Sequence, residues 1–267
     1  MTEKPVAPAP LTAVGLGPGD AAQLTPQARA ALQGATCVAG YGLYLDLIPP
    51  GLLAGKRRIC SGMRHERERC AAAVDAALGG EPTALVSSGD AGIYAMAGLA
   101  LEILEERGLL DVVPFSVVPG VPALCAAAAL LGAPLTHDFA CVSLSDLLTP
   151  LDRIRARLMA ALTADFVCVL YNPRSHGRPD HLGMAFDMAR AVRGPGCPVG
   201  MVRKAYRPGQ EAVLTTLAGA DPTWADMLTL VIIGNSESRL AGRYMLTPRG
   251  YSRRPAGAAA PGAGKTA

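Results

Sequence analysis

The chain has 267 residues, half of them hydrophobic, with 4% aromatic side chains and a formal net charge of +3. That length fits one large α/β domain or two small ones, with ample apolar material for cores. So mild a charge does not point to nucleic acid, whose binders concentrate basic residues on one face. The basic clusters Lys56-Arg57-Arg58, Arg64 to Arg69, and Arg203-Lys204 with Arg207 read as solvated surface charge. Cys37, Cys60, Cys70, Cys125, Cys141, Cys168 and Cys197 are odd in number and no two stand at metal-ligand spacing. They read as reduced, mostly structural thiols of a cytosolic protein that holds no metal.

Residues 1–10 and 252–267 are rich in Ala, Pro and Gly and are expected to be disordered tails. The first of them lacks the apolar core of a signal peptide. No apolar run approaches the ~20 residues of a membrane span. Between the tails, strand and helix signals alternate. Leu11 to Leu16 reads as a strand. Thr25-Pro26 marks a cap and first helical position, and Gly34 ends that helix. Cys37 to Ala39 is a strand and Glu66 to Leu78 a helix. Thr83 to Val86 is a buried strand, Ala95 to Arg107 a helix, Val112 to Val118 a strand, and Pro122 to Leu131 an Ala-rich helix. Such a βα repeat predicts a largely parallel sheet.

The pattern breaks at Gly132, Pro134 and His137-Asp138. A strand over Phe139 to Leu144 follows, then a helix capped at Thr149-Pro150 and running to Leu162. Next come a strand over Phe166 to Leu170 and a helix over Pro179 to Arg193. Three strands, Val199 to Arg203, Glu211 to Thr216 and Leu228 to Ile233, follow with no long helix between them. That succession predicts a mixed sheet. The expected organisation is therefore two α/β domains, 11–133 with a mainly parallel sheet and 134–251 with a mixed one.

Two glycine turns invite a phosphate reading, and both resist it. Gly15-Leu16-Gly17-Pro18-Gly19-Asp20 closes the first strand, but the next helix begins about six residues later and no Lys or Arg is adjacent. A dinucleotide fingerprint needs a third glycine and a helix that starts inside the motif. A nicotinamide oxidoreductase is thus a poor alternative. Ser87-Ser88-Gly89-Asp90 ends another strand with a carboxylate, which repels phosphate and suits a cationic or hydroxyl-bearing ligand; capping of the next helix is the ordinary alternative for Asp90. Ala259 to Thr266 imitates a phosphate-binding loop, yet no strand precedes it.

In order along the chain stand Gly15 to Asp20, Ser88 to Tyr94, Val117 to Val121, Leu214 to Leu217 and Ile233 to Ser236. Among them lie His137-Asp138-Phe139, Ser143-Leu144-Ser145-Asp146-Leu147-Leu148-Thr149-Pro150, Leu170 to Ser175 and Thr247 to Tyr251. Over Leu11 to Tyr251 this series resembles the tetrapyrrole (corrin/porphyrin) methylase family, and its Ser143 to Pro150 run resembles the precorrin-3B C(17)-methyltransferase branch. The resemblance implies S-adenosylmethionine (SAM) in a cleft between two α/β domains, with contacts at Pro18, Gly89, Asp90, Ile93, Pro122, Ala123, Asn172, Ala205 and Thr216. The family often has Thr where this chain has Pro122, so any hydroxyl contact is lost there.

The implied activity is methylation of precorrin-3B at C(17) with ring contraction, giving precorrin-4 in cobalamin biosynthesis, by a cytoplasmic homodimer that binds neither nucleic acid nor membrane. Carboxylates on the tetrapyrrole suit arginine and lysine. The candidates are Arg64, Arg174, Lys204 and Arg249. Ring contraction needs proton movement, for which His137, Asp138, Ser143 and Ser145 are the candidates. The alternatives are another substrate of the same chemistry (uroporphyrinogen III or cobalt-precorrin-3) and a non-catalytic tetrapyrrole carrier.

Overall fold

A computed structural model describes residues 6–251. Residues 1–5, residues 252–267 and the Ala259 to Thr266 motif lie outside them. Of the segment expected to be a tail, Ala9 and Pro10 are tied down before β1: the Ala9 amide donates to Ala77 O at 2.8 Å, and Pro10 O accepts from Thr83 N at 2.9 Å. The chain divides into two compact units. One runs through Leu130 and takes back Val202–Glu211; the other takes Leu131–Met201 and resumes at Ala212.

In the first unit β1 (Leu11–Gly15), β2 (Cys37–Tyr41), β3 (Arg57–Ser61), β4 (Thr83–Ser87) and β5 (Phe115–Val118) form a sheet of order β3-β2-β4-β1-β5. Every pairing in it is parallel. Successive side chains of a strand face opposite ways. Val14, Val38, Ala84 and Val86 therefore pack on α1 (Pro26–Gly34), α2 (Gly42–Leu45) and α3 (Pro50–Leu53). Leu11, Ala39 and Leu85 pack on α4 (Glu66–Leu78) and α5 (Met96–Glu106). Burial on both faces explains the unbroken apolar run at Thr83 to Val86. Thr25 caps α1, its Oγ1 accepting from Ala28 N at 3.1 Å, with Pro26 at the first helical position. The connection from β1 crosses to β2 while that from β4 crosses the other way to β5. The carboxyl ends of β1 and β4 thus form a topological switch point, where such sheets open a crevice.

After α6 (Ala123–Leu131), the second unit holds β6 (Gly132–Ala133), β7 (Phe139–Ser143), α7 (Leu151–Thr163), β8 (Val167–Tyr171) and α8 (His181–Arg193). The remaining strands are β9 (Pro198–Arg203), β10 (Glu211–Thr216), β11 (Thr229–Ile233), β12 (Arg239–Ala241) and β13 (Tyr244–Leu246). The main sheet has the order β10-β9-β11-β8-β7, with β7 and β8 parallel and β11 antiparallel to β8. It is mixed, as the succession of strands predicts. Its core gathers Ile154, Leu158 and Leu162 of α7, Leu182 and Phe186 of α8, and Cys168, Leu170, Val199, Met201, Val231 and Ile233 of the strands. A small sheet, β12-β13-β6, stands beside it.

The differences from the sequence expectation have plain causes. β3 is an edge strand whose Arg57 and Arg58 are exposed, so it reads as a surface cluster; charge on an edge strand discourages pairing with other chains. β5 starts at Phe115, because Val112 N and Val113 N both donate to Leu109 O and hold that stretch in a turn. Pro150, not Thr149, is the cap of α7, and no side chain caps it.

Candidate active site

At the carboxyl edge of the first sheet three loops meet through their glycines. Leu16 N donates to Ser87 O at 2.9 Å, Gly17 N to Gly89 O at 3.0 Å, and Gly89 N to Gly17 O at 2.8 Å. A Cβ on Gly15 would stand 2.5 Å from Gly120 N, and one on Gly120 would stand 2.2 Å from Gly89 O. The loops after β1, β4 and β5 are therefore in backbone contact, which a side chain would prevent. Asp90 fastens the arrangement. Its Oδ1 accepts from Gly92 N at 2.8 Å and its Oδ2 from Gly120 N at 3.1 Å. It does not cap α5, which begins beyond Ala95 without a side-chain cap.

Pro18, Gly89, Asp90, Pro122 and Ala123 all belong to this convergence; a Cβ on Gly89 would lie 3.5 Å from Ala123 N and 3.8 Å from Pro122 Cα. Ile93 is half-buried in the loop that follows Asp90. Ala205 lies on the returning segment Val202–Glu211 of this same unit. That segment bends sharply: Lys204 and Tyr206 have φ of 52° and 56°, a region bulky residues rarely adopt. Directly after Tyr206 stands Arg207, which the sequence assigns to surface charge. Its Nε donates to Pro18 O and its Nη2 to Ser88 Oγ at 2.5 Å. Burial lowers its pKa, which the nearby Tyr44 partly offsets. Arg64 sits at the same edge, after β3, at φ 68°.

The second unit gathers side chains instead. Ser143 ends β7 opposite Tyr171 of β8. Its Oγ accepts from Asn172 Nδ2 at 2.9 Å and from Ser145 N at 3.2 Å. Asn172 itself has φ 51°. Ser145 Oγ accepts from Nη1 of Arg178 at 2.8 Å. Arg178 is buried, and its Nη2 lies 3.4 Å from Met227 Sδ. His181 Nε2 is 3.2 Å from Asp146 Oδ2, an ion-pair distance off the line of a hydrogen bond. Asp146, Arg178 and His181 escape the sequence reading. The charged Asp146 inside the apolar Leu144 to Leu148 stretch is the signal that could have found them. Arg174 lies on the turn next to this group, its Nε 3.4 Å from Pro179 O. Thr216 ends β10.

The four acid–base candidates do not form one group. His137 and Asp138 precede β7 whereas Ser143 ends it, so the strand's five residues, about 17 Å, separate them. His137 Nδ1 accepts from Asp138 N at 2.8 Å, which makes this pair a turn lock. Arg249 joins that end, donating to Thr136 O at 3.3 Å. The Ile233 to Ser236 motif is there too, since β11 runs antiparallel to β8, and Ser236 N donates to Asp165 Oδ1 at 2.9 Å. The buried Thr247 meets Ser238 Oγ at 2.7 Å. Several family-like motifs thus brace the far end of the sheet.

The family that the sequence motifs resemble is that of the tetrapyrrole (corrin/porphyrin) methylases. The description of that family matches residues 10–221, and the chain belongs to it. A "Probable cobalt-factor III C(17)-methyltransferase" of Salmonella typhimurium is 48% identical over 91% of this chain and 99% of its own length. A "Precorrin-3B C(17)-methyltransferase" of Sinorhizobium sp is 41% identical over 91% of this chain and 97% of its own. The crystal structure of "the methyltransferase CobJ" superposes with a TM-score of 0.86 at 37% identity, covering 90% of this chain and all of that one. A uroporphyrin-III C-methyl transferase from Thermus thermophilus, complexed with S-adenyl homocysteine, has a TM-score of 0.60 at 25% identity, with coverage of 85% and 97%.

Proposed function

We propose that the chain transfers a methyl group from SAM to C(17) of a precorrin-3-level macrocycle, with ring contraction, in cobalamin biosynthesis. One observation carries the cofactor half of this reading: the contact of Gly15, Gly89 and Gly120 presents backbone and the Asp90 carboxylate at the switch point, while the cation beside it, Arg207, has its Nε and Nη2 bonded to Pro18 O and Ser88 Oγ. SAM has no phosphate, and its ribose hydroxyls and ammonium suit backbone carbonyls and carboxylate oxygens. Each Asp90 oxygen gives one acceptor site to a backbone amide and keeps another for a ligand. When bound, SAM supplies an electrophilic methyl on a good leaving group, so the protein's task is alignment at about 3–3.5 Å. In the second unit the Ser143 hydroxyl accepts two N–H donors and keeps its own proton to donate. It is the group of this cluster best placed to polarise an oxygen during contraction.

Calorimetry with S-adenosylhomocysteine (SAH) and with NAD tests the cofactor. Binding of NAD but not SAH would sink the reading. Turnover of precorrin-3B and of its cobalt-containing counterpart, followed by mass spectrometry, tests the substrate. Cobalt-bound substrate is a second reading in its own right, favoured by the 48% identity to the Salmonella protein against 41% to the Sinorhizobium one. The reading includes a homodimer, which light scattering tests.

A further inference from the structure

Arg207 is a charge without a counter-charge. No carboxylate lies within ion-pair distance of it among the described residues, and its two hydrogen-bond acceptors are a carbonyl, Pro18 O, and a hydroxyl, Ser88 Oγ. Those two groups belong to the loops after β1 and β4, the two banks of the switch-point crevice. The backbone is shaped to admit it. Gly19 has φ 152°, and a Cβ there would stand 2.5 Å from Arg207 Cγ and 2.8 Å from its Nε. The turn that carries it includes two non-glycine residues at positive φ, Lys204 and Tyr206. It closes with Arg207 N donating to Lys204 O at 2.9 Å. Strained backbone persists where its surroundings over-determine it, and it gathers at ligand clamps.

A guanidinium has five N–H donors. Here Nε and one N–H of Nη2 are engaged, while both of Nη1 and the second of Nη2 have no partner among the described residues. The uncommitted edge is therefore the end-on fork of Nη1 and Nη2, the edge that takes a carboxylate in bidentate fashion. A bare loop brace would not need this charge, because a neutral donor also bonds a carbonyl and a hydroxyl. Desolvating an unpaired cation costs free energy that a bound anion returns. Sulfonium and ammonium groups are repelled by it, so of the charged groups of SAM only the carboxylate suits it.

We propose that Arg207 binds a carboxylate at the mouth of the glycine crevice, either that of the cofactor's amino-acid end or one on the rim of the macrocycle. The inference rests on the methyltransferase reading above. The probes are SAH and 5′-S-(3-aminopropyl)-5′-thioadenosine, which lacks only the carboxylate, with calorimetry on wild type, Arg207→Gln and Ser88→Ala. For the cofactor source, Arg207→Gln weakens SAH at least tenfold and leaves the decarboxylated analogue unchanged, while Ser88→Ala preserves the ratio of the two affinities. For the macrocycle source, Arg207→Gln leaves SAH binding unchanged and raises KM for the tetrapyrrole at least tenfold. Equal weakening of both nucleosides makes Arg207 a brace only and overturns the proposal, as does no change in any of the three quantities. Should Arg207→Gln fail to fold, Arg207→Lys keeps the charge without the fork and is read by the same criteria. Wild type that binds neither nucleoside defeats the methyltransferase reading itself, a result distinct from these.

Discussion

At the carboxyl edge of the first unit's sheet the groups that meet are backbone: Gly15, Gly89 and Gly120, with Asp90 tying two of their loops. At the same edge of β7 and β8 in the second unit they are side chains: the Ser143 hydroxyl, the Asn172 amide, the Ser145–Arg178 contact and the Asp146–His181 pair. A parallel sheet buried on both faces brings its turns close together and leaves room for little but glycine. β7 and β8 are also a parallel pair, but the loops after them carry Ser145, Asp146, Asn172 and Arg178, whose side chains make the contacts. Backbone suits a ligand held by shape, and side chains suit a step that moves protons.

The sharpest way to break this contrast is to fill the backbone contact. Gly120→Ala puts a methyl 2.2 Å from a carbonyl oxygen, and we expect a loss of about 3 kcal/mol, roughly 6–12 °C in Tm, with SAH binding abolished. Wild-type melting and binding would show that the loops have slack. Asp90→Ala removes the acceptor of two backbone amides. It is expected to cost about 2–3 kcal/mol in chemical denaturation and to weaken SAH; Asp90→Asn, which keeps one oxygen, should lose about half as much. Were Asp90→Ala to abolish turnover with SAH affinity intact, Asp90 would belong to the chemistry and not to the cradle.

In the second unit the expected signature is reversed. Ser143→Ala should lower kcat about 10²-fold and, by removing the acceptor of two N–H donors, cost about 1–2 kcal/mol of stability, with SAH affinity falling far less than kcat; a matched fall in SAH affinity would erase the distinction between the units.

The thiols test the two interiors together. Burial pushes Cys70 of the first unit and Cys168 of the second up to about 11, from an ordinary 9.0. Because the folded pKa is the higher, the stabilising contribution is full below pH 9 and is lost as pH rises toward 11. Thermal melts across that window should decline, and alkylation at pH 8 should label the exposed Cys60 and Cys125 well before Cys70 or Cys168. The smallest effect is expected at the far end of the second sheet. Arg249→Ala loses one exposed bond to Thr136 O and should shift stability by under about 0.5 kcal/mol, with KM for the tetrapyrrole unchanged.

Much of the fold was legible because its determinants are local. Pro26 to Gly34 announces a helix by its Thr25 cap and terminal glycine, and Thr83 to Val86 announces a doubly buried strand by its composition. β3 was not legible, since edge position decides its state more than its charged sequence does. In the site, Gly89 and Asp90 could be singled out, but their partner Gly120 could not be paired with them without the sheet order. His137 and Asp138 look like an acid–base pair in sequence; only the direction of β7 shows that they stand a strand's length from Ser143. Arg207 was illegible for the opposite reason: a basic residue in a polar turn is ordinary until its carbonyl and hydroxyl partners, far away in sequence, are known.

The return of Val202–Glu211 to the first unit has a consequence for how the protein is made. Arg207 meets Pro18 across 189 positions of chain, so the first unit cannot be completed on the ribosome until Leu131–Met201 of the second unit has emerged. Such long-range closure slows folding and leaves the partly built sheet waiting. It also sets the unit of inheritance and of engineering. A fragment cut after α6 lacks the arginine that links its two principal loops, so splitting or exchanging the halves requires carrying this short segment along as a third piece.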